Sequence, residues 1–476
     1  MKNLFLAVVI ICLHISCENA LEEVPKAIAA ETFYKTEAEF EAAIYGAYRQ
    51  LERGPFHRNY LLVNLSQVDY GVGRGSYSST SNFQGLDPTN IDRTSNMWSY
   101  FYRSIRDVNL VIQEASGSDV EINATILNPL IAEAKFLRAF NYFHLVLNWG
   151  GIPLRTEDNI SDPDLPRSSV EDVYAKIVED LEFAEQYLPD DQSLAGRPIK
   201  MTAKTLLADV YLNMGSWQNS RDKALEVINS NKYQLINVSE PDDFYQIFGS
   251  NVLSTSEEIF YMKYNPLSPS SFTVMLHKDN RDYYYGNGAY AAYVPDSSEN
   301  KTISEWDFQD LRRRFNLYNW DIGVGPKTLL YKKFTDPDQS LSCDYTVYRY
   351  ADLLLIYAEA DSRANGGPTA DGMEKLNMIH RRGYGLDPNT PSIEDFNFAD
   401  YTEETFIDLV LQERLYELFS EHKRFYDLRR TGRLKSTIKD VKGIDVADKQ
   451  FLWPIPNIEY EYNNAIDPGS DQNPGY

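Results

Sequence analysis

Apolar residues recur at helical spacing over much of the chain. The pattern begins in residues 36–51, where Thr36 and Glu39 form a capping box and apolar residues from Phe40 to Leu51 follow every three or four positions. The same spacing predicts further helices in residues 95–113, 128–149, 168–189, 202–233, 349–364, 369–384 and 402–430. The hydrophobic pattern alone therefore predicts a mostly α protein.

Residues 202–233 have the pattern of two short helices joined by a turn. Leu207, Ala208 and Tyr211 in the first helix, and Ala224 and Val227 in the second, resemble the packing positions of a tetratricopeptide unit. Such pairs bury small residues against each other and stack on their neighbours. We therefore predict tetratricopeptide-like helix pairs that form an α-superhelical scaffold.

Two long stretches, residues 53–94 and 233–345, show little helical periodicity. The second stretch has a strand-like piece, EEIFYMKY, many turn residues, and the tyrosine-rich run DYYYGNGAYAAY at 282–293. Long irregular segments inside a compact domain are more often functional than not. We therefore expect residues 233–345 to form an irregular, partly β insert that carries the ligand surface.

Residues 1–16 have the pattern of an export signal. Lys2 precedes the apolar run LFLAVVIICLHI, which is too short to span a bilayer. A small residue, Ser16, precedes Cys17, and a cysteine in this place resembles the acceptor of a bacterial lipoprotein. We therefore expect cleavage before Cys17, acylation of this cysteine and a tether over residues 17–30, with an ordinary secretory signal as the alternative. The acidic sequence ENALEE resembles the signal that sends Bacteroidota lipoproteins to the outer cell surface.

Composition narrows the classes of function. The chain has 46 Lys and Arg against 70 Asp and Glu, a net charge of −24, which repels nucleic acid and anionic lipid headgroups. Six histidines and three cysteines are a poor supply for metal or triad chemistry, so we predict no metal and no cofactor. The 34 tyrosines combine a stacking face with a hydroxyl, which suits a surface that is both wet and adhesive.

Four longer motifs follow one another in the chain. They are EAKFLRAFNYFHLVLNWGGIPL, YRYADLLLIYAEA, QERLYELFSEHKRFYDLRRTGRL and FLWPIPNIEYEYNNAIDPGSDQNPGY. Together they resemble the SusD/RagB-like outer-membrane lipoproteins over nearly the whole mature chain. We therefore expect a SusD-like N-terminal helical region at 31–232 and a SusD/RagB-like C-terminal region at 233–476, which contains the loop-rich insert 233–345.

The resemblance implies a function as well as a fold. Members of the family are non-enzymatic lipoproteins that sit on a SusC-like TonB-dependent transporter at the cell outer membrane. They capture oligosaccharide there and pass it to this partner, and some members bind peptides instead. A peptide- or protein-binding RagB-like lipoprotein is therefore the first alternative, and a lipid-anchored, surface-exposed location is expected in either case.

In the family, the ligand surface is built from the irregular segments, which map here to residues 53–98 and 265–325. Aromatic rings in such segments bury the C–H face of a sugar, while polar groups bind its hydroxyls. The candidate ligand-binding residues are Asp69, Tyr70, Tyr77, Trp98, Tyr283, Tyr284, Tyr285, Tyr290 and Trp320.

A helical glycoside hydrolase is the second alternative. Such an enzyme would need two carboxylates that face each other across a cleft. Asp69, Asp279 and Asp282 are the local acids that this alternative would use. Glu413 and Glu417 are expected instead to be salt-bridged scaffold residues. They belong to a charged set that we place on one long helix, namely Glu413, Arg414, Glu417, Arg424, Asp427 and Arg429.

Overall fold

The computed structural model describes residues 33–52, 60–86, 91–117, 121–191, 194–269, 292–319, 328–331, 333–334 and 342–476. Within these ranges the protein is mostly helical with a few short strands, which confirms the predicted fold class.

The first half of the chain is a series of helices that pack on their neighbours in sequence. They are α1 (Glu37–Glu52), α2 (Leu62–Ser66), α3 (Ser78–Ser81), α4 (Ile91–Ala115), α5 (Ala124–Trp149), α6 (Val170–Tyr187), α7 (Lys200–Met214) and α8 (Trp217–Asn229). Helix α5 is buried along most of its length because α1, α4 and α6 all pack against it. Caps define the ends: the Asn123 side chain accepts a hydrogen bond from the Thr125 amide, and Gly215, at φ 74°, ends α7.

The tetratricopeptide-like pair predicted in residues 202–233 is the pair α7 and α8. Leu207, Ala208, Ala224 and Val227 are all buried between the two helices and their neighbours. The Ser220 hydroxyl donates to the Ala208 carbonyl at 2.7 Å, which ties the second helix to the first. The sequence therefore located this unit correctly.

The second half contains shorter helices and the strands. The helices are α9 (Lys301–Glu305), α10 (Leu311–Asn316), α11 (Tyr350–Asn365), α12 (Ala370–Gly383), α13 (Glu403–Glu417), α14 (Arg424–Arg430), α15 (Leu434–Lys442) and α16 (Asn457–Tyr462). Helix α11 packs against α8, α12 and α13, so it joins the two halves of the scaffold. Its buried residues include almost every position from Tyr350 to Ser362, which explains why its hydrophobic pattern is nearly continuous.

The described strands form two small antiparallel sheets. They are β1 (Val72–Gly73), β2 (Glu258–Met262), β3 (Ala292–Pro295), β4 (Leu317–Asn319), β5 (Thr328–Tyr331) and β6 (Tyr345–Arg349). One sheet has the order β1–β3–β5–β4, and β2 pairs with β6 in the other. Strand β2 is the strand-like piece that the sequence predicted.

The predicted long helix over residues 402–430 is wrong, because the chain breaks between α13 and α14. Ser420 and His422 take left-handed backbone conformations, with φ of 64° and 65°. The break turns Glu421 inward, where its carboxylate accepts hydrogen bonds from Lys333 at 2.8 Å and from Arg349 at 2.8 and 2.9 Å. Pairing of buried charges therefore outweighs helical continuity here.

The segment from Tyr60 to Phe83 also differs from expectation, since the sequence predicts an irregular ligand-binding surface there. Every residue from Tyr60 to Gly71 is buried, and the segment folds into α2, β1 and α3. Gly71 and Gly73 are required by close packing, because an added Cβ would lie 2.1 Å from the Leu65 carbonyl oxygen and 2.5 Å from that of Tyr77. The Gly- and Ser-rich composition thus reflects tight packing.

Candidate functional site

Glu413 and Glu417 on α13, which the sequence assigns to the scaffold, are part of a buried charge network. The Glu417 carboxylate accepts hydrogen bonds from Arg349 and Arg382, each at 2.6 Å, and Glu413 accepts one from Arg312 at 2.7 Å. Burial favours the neutral acid, but the guanidiniums of Arg382, Arg349 and Arg312 outweigh it and hold the pKa of Glu417 well below its usual range. The predicted scaffold role of both acids is confirmed.

Two of the predicted aromatic binding residues lie in the core. Tyr70 is 2% exposed and stacks on Phe419 with ring centroids 4.2 Å apart. Trp98 is 2% exposed, and its indole N–H donates to Glu459 at 3.0 Å. Both rings are fully occupied by protein neighbours, so in this structure they are packing residues and offer no face to a sugar.

Tyr77 and Asp69 are also buried. The Tyr77 hydroxyl accepts a hydrogen bond from Arg93 at 2.7 Å, and the Arg93 guanidinium lies 4.0 Å from the centre of its ring. Burial opposes ionisation of Asp69, yet the Arg424 guanidinium at 2.8 Å outweighs it and lowers the pKa of this carboxyl. Asp69 lines a cavity of about 440 Å³ between α13 and α15, but its oxygens are engaged by Arg424 and by Thr302.

The other predicted binding residues, Tyr283, Tyr284, Tyr285, Tyr290 and Trp320, and the predicted lipid acceptor Cys17 lie outside the described residues. The acids Asp279 and Asp282 lie outside them as well.

A cavity of about 440 Å³ opens beside the exposed face of α1, and we call it the α1 cavity. Its lining combines aromatic, small and cationic side chains. The lining residues are Ala42, Tyr45, Gly46, Tyr48, Arg49, Leu51, Glu52, Ala195, Gly196, Arg197, Met262, Lys263 and Ser268. Helix α1 thus forms one wall, and the turn before α7 and the end of β2 form the other.

The buried carboxylate of Glu133 binds side chains from both walls of the α1 cavity, Tyr48 from one and Arg197 from the other. Glu133 lies on α5, in the first of the four sequence motifs, and is 4% exposed. Both of its oxygens accept from Arg197 Nε at 2.9 Å, and one also accepts from the Tyr48 hydroxyl at 2.8 Å. The Arg197 Nη1 group reaches Glu41 on α1 at 2.9 Å. The scaffold therefore holds Arg197 in one orientation.

Tyr45 supplies the cavity with an aromatic ring that faces solvent. Tyr45 is 44% exposed, and the Arg197 guanidinium lies 5.4 Å from the centre of its ring. The next residue of α1, Gly46, leaves an open floor, since an added Cβ would meet no atom of the described residues within 4 Å. A flat ring beside an open floor can accommodate the apolar face of a ring-shaped ligand.

Polar groups lie at the rim of the same cavity. The Lys263 ammonium is fixed by Glu258 at 2.7 Å and Asp344 at 2.9 Å, and the Ser268 hydroxyl donates to Glu52 at 2.9 Å. Arg49 is exposed at the rim. The site therefore offers both donors and acceptors around an apolar floor, which is typical of small-molecule sites.

A neighbouring cavity of about 330 Å³ shares two lining residues, Ala195 and Gly196, with the α1 cavity. Tyr233, Lys232 and Glu258 add aromatic and charged groups to its walls.

Sequence reasoning did not identify Tyr45 as a site residue. The available signal was its position, because Tyr45 lies off the apolar face that Phe40 and Leu51 define, among the polar positions of the same helix. A large ring on the solvent side of an amphipathic helix has no packing role there. Arg197 gave no such signal, since only the fold brings it to α1.

Neither metal chemistry nor a membrane-spanning helix is indicated in the part of the chain that the structure describes. No cluster of His, Cys, Asp or Glu in these ranges has the geometry to hold a metal ion. None of the described helices combines the length and the apolar character that crossing a bilayer requires.

Comparisons with known proteins agree with the fold. A SusD-like family model, described as starch-binding and associating with outer membrane, matches residues 21–212, and a SusD family model matches residues 281–476. The SusD-like protein P2 of Formosa agariphila is 27% identical over 516 residues, which cover 98% of both chains.

Solved structures extend the comparison. A SusD homolog from Bacteroides thetaiotaomicron superposes with a TM-score of 0.78 at 22% identity, over 94% of this chain and 98% of that one. A laminarin-binding SusD-like protein superposes with a TM-score of 0.73 at 24% identity, over 93% of this chain and all (100%) of that one. Models of one family thus match both halves, the relatives are similar from end to end, and the chain belongs to the SusD/RagB-like family.

Proposed function

We propose that the protein is a non-enzymatic cell-surface lipoprotein that captures oligosaccharide. The observation that carries this proposal is the α1 cavity, in which the exposed ring of Tyr45 and the fixed guanidinium of Arg197 flank an open floor at Gly46. Membership of the family and the fold shared with a laminarin-binding protein support a glycan as the ligand.

The expected affinity is modest. A sugar that stacks on one ring removes ~40 Å² of apolar surface, which contributes about 1 kcal/mol at ~25 cal/mol/Å². With further rings and a few hydrogen bonds, the total is roughly 4–6 kcal/mol, equivalent to about millimolar to tens of micromolar affinity. Weak binding of this kind suits a protein that hands its ligand onward.

The tyrosine run and Trp320 belong to the same proposal. Ser268, at the rim of the α1 cavity, precedes Tyr283, Tyr284, Tyr285 and Tyr290 in the chain. We assign these tyrosines and Trp320 as additional sugar-binding platforms.

Location and partner are inferred from the same resemblance. Acylation of Cys17 anchors the mature protein to the outer membrane, and a SusC-like TonB-dependent transporter receives the captured glycan. The description of the matching family, which associates with outer membrane, supports this location. Replacement of Cys17 by Ala is expected to release the protein from membrane fractions, and the lipidated protein is expected to co-purify with the transporter.

Affinity electrophoresis of the full-length protein in gels that contain laminarin, starch, xylan or pectin tests the capture of glycans. Retardation by at least one of them supports the proposal, and unretarded migration in all of them contradicts it. A reducing-sugar assay on the same glycans tests for catalysis. The proposal predicts no release above the background, and turnover that increases with protein concentration would contradict it.

A further inference from the structure

Another cavity lies on the outer face of α4, where it meets the segment that follows α5. Its volume is about 240 Å³, and three of its lining residues are arginines, so we call it the arginine pocket. It is lined by Ser99, Tyr102, Arg103, Arg106, Asn109, Arg155, Asn159 and Ile160. The lining contains no carboxylate, although the whole chain carries a net charge of −24.

The neutral polar groups of the arginine pocket are already engaged by the backbone. The Tyr102 hydroxyl donates to the Pro153 carbonyl at 2.8 Å, and the Asn109 amide donates to the Arg155 carbonyl at 2.8 Å. The Asn159 amide also donates to a backbone carbonyl, at 3.0 Å. The donors left for a ligand are therefore those of the exposed guanidinium groups of Arg103 and Arg106.

Two of these arginines have little compensation. Arg103 and Arg106 are exposed and lie one turn apart on α4, where like charges repel each other. Among the described residues, no carboxylate lies within 4.0 Å of Arg103, and Arg106 has only its neighbour Asp107, at 3.3 Å. The side chain of Arg106 is 69% exposed, so this pair contributes little.

Arg155 is the fixed member of the set. Its guanidinium donates to the backbone carbonyls of Asp162 and Pro163, each at 2.9 Å, and lies 3.6 Å from Glu459. This arginine is held by the loop, while Arg103 and Arg106 line the same pocket from α4. Ile160 and the ring of Tyr102 add an apolar side to the pocket.

We propose that the arginine pocket binds the acidic group of an anionic glycan, which is either a carboxylate or a sulfate ester. Guanidinium groups bind both acids in a bidentate manner, and converging arginines compensate for the repulsion by the rest of the chain. The volume admits one sugar unit, whose apolar side packs on Ile160. This inference rests on the proposed capture of glycans and names the acidic class for a second subsite.

Calorimetric titration of the full-length protein with three probes tests this subsite. The probes are tetragalacturonate for the carboxylate, a carrageenan tetrasaccharide for the sulfate ester, and cellotetraose as the neutral control. We expect an acidic probe to bind, and the double variant Arg103→Gln/Arg106→Gln to weaken that binding by about 10-fold or more. Arg314→Gln/Lys435→Gln, which removes two exposed positive charges outside the pocket, is the matched charge control and leaves binding unchanged.

The two acidic probes distinguish the two sources of charge, because preference for one identifies a uronate-containing or a sulfated polymer. Binding of neither acid, equal binding of the neutral probe, or an unaltered affinity of the double variant would overturn the inference. If an uncharged glycan is retarded in the electrophoresis while the acids fail here, the proposed capture of glycans stands and only the arginine pocket is refuted.

Discussion

Arg197 and Glu133 form a bidentate ion pair at the base of the α1 cavity, in which Arg197 Nε donates to one carboxylate oxygen at 2.9 Å and Nη2 donates to the other. The pair joins the buried helix α5 to the turn before α7. It also shares Glu133 with the Tyr48 hydroxyl. The rigid scaffold thus determines the shape of the candidate ligand site.

Replacement of Glu133 by Gln is expected to weaken both the fold and the site. The change removes the charge that holds Arg197, and we expect a loss of about 1–3 kcal/mol in the free energy of unfolding. Urea denaturation measures this loss. Glu171→Gln, at an exposed position on α6, is the control and is expected to stay within about 0.5 kcal/mol of the wild type. Equal stability of the two variants would contradict a structural role for the pair.

Replacement of Glu417 by Ala is expected to lower the free energy of unfolding more than replacement of Glu133 by Gln does. It leaves Arg349 and Arg382 buried without their shared carboxylate, and uncompensated buried charge costs about 3–5 kcal/mol. Unfolding monitored by circular dichroism tests this, with the exposed Glu404→Ala on the same helix as the control. A loss below about 1 kcal/mol for the buried variant would refute the scaffold role.

The sequence predicted most of the scaffold, because helical periodicity records which face is buried. It located the pair α7 and α8 and strand β2, and it identified Glu413 and Glu417 as structural acids. These successes rest on local pattern: each helix buries a face whose spacing can be seen in the sequence.

The features that the sequence did not predict depend on contacts between distant parts of the chain. The break after α13 uses Ser420 and His422, not glycine, so no local signal marks it, and its cause is the pairing of Glu421 with Arg349. Burial of Tyr70 and Trp98 likewise depends on distant partners, and a Gly- and Ser-rich sequence does not distinguish tight packing from an exposed loop.

Ser420→Gly is expected to stabilise the protein slightly. Ser420 is fully buried at φ 64°, and its hydroxyl has no hydrogen-bond partner among the residues that the structure describes. Glycine adopts this backbone conformation freely, so we expect a gain of about 0.5–1 kcal/mol in thermal or urea unfolding. For Ser436→Gly in α15 we expect the opposite, a loss of about 0.5–1 kcal/mol in the free energy of unfolding, because glycine destabilises a helical position. A loss at both positions would contradict strain at Ser420.

Stability is expected to fall with acidification before the carboxylates titrate. Burial, assisted by the charge of Lys423, lowers the pKa of His144 to about 3. A histidine in the unfolded chain has a pKa of about 6.5. Between these values the unfolded state binds the proton and the folded state does not. The free energy of unfolding therefore decreases as the pH falls from about 6.5, by at most about 1.4 kcal/mol per unit.

His144→Gln tests this, because glutamine can still accept the hydrogen bond that Tyr60 shares with His144 at 2.7 Å. Urea unfolding of both proteins at about pH 7, 6 and 5 should show a shallower pH dependence in the variant. If the free energy of unfolding changes with pH equally in both proteins, His144 does not contribute to the pH dependence.

We expect the exposed ring of Tyr45 in the α1 cavity to bind sugar without contributing to the stability of the scaffold. Calorimetric titration of Tyr45→Ala, with the glycan that retards the wild type most strongly, tests it directly. Loss of one stacking face, about 1 kcal/mol, predicts a Kd raised about 5-fold with unaltered unfolding. Tyr462→Ala, which removes a tyrosine that is 73% exposed outside the cavity, is expected to keep the wild-type Kd. Equal Kd values for Tyr45→Ala and the wild type would contradict the account.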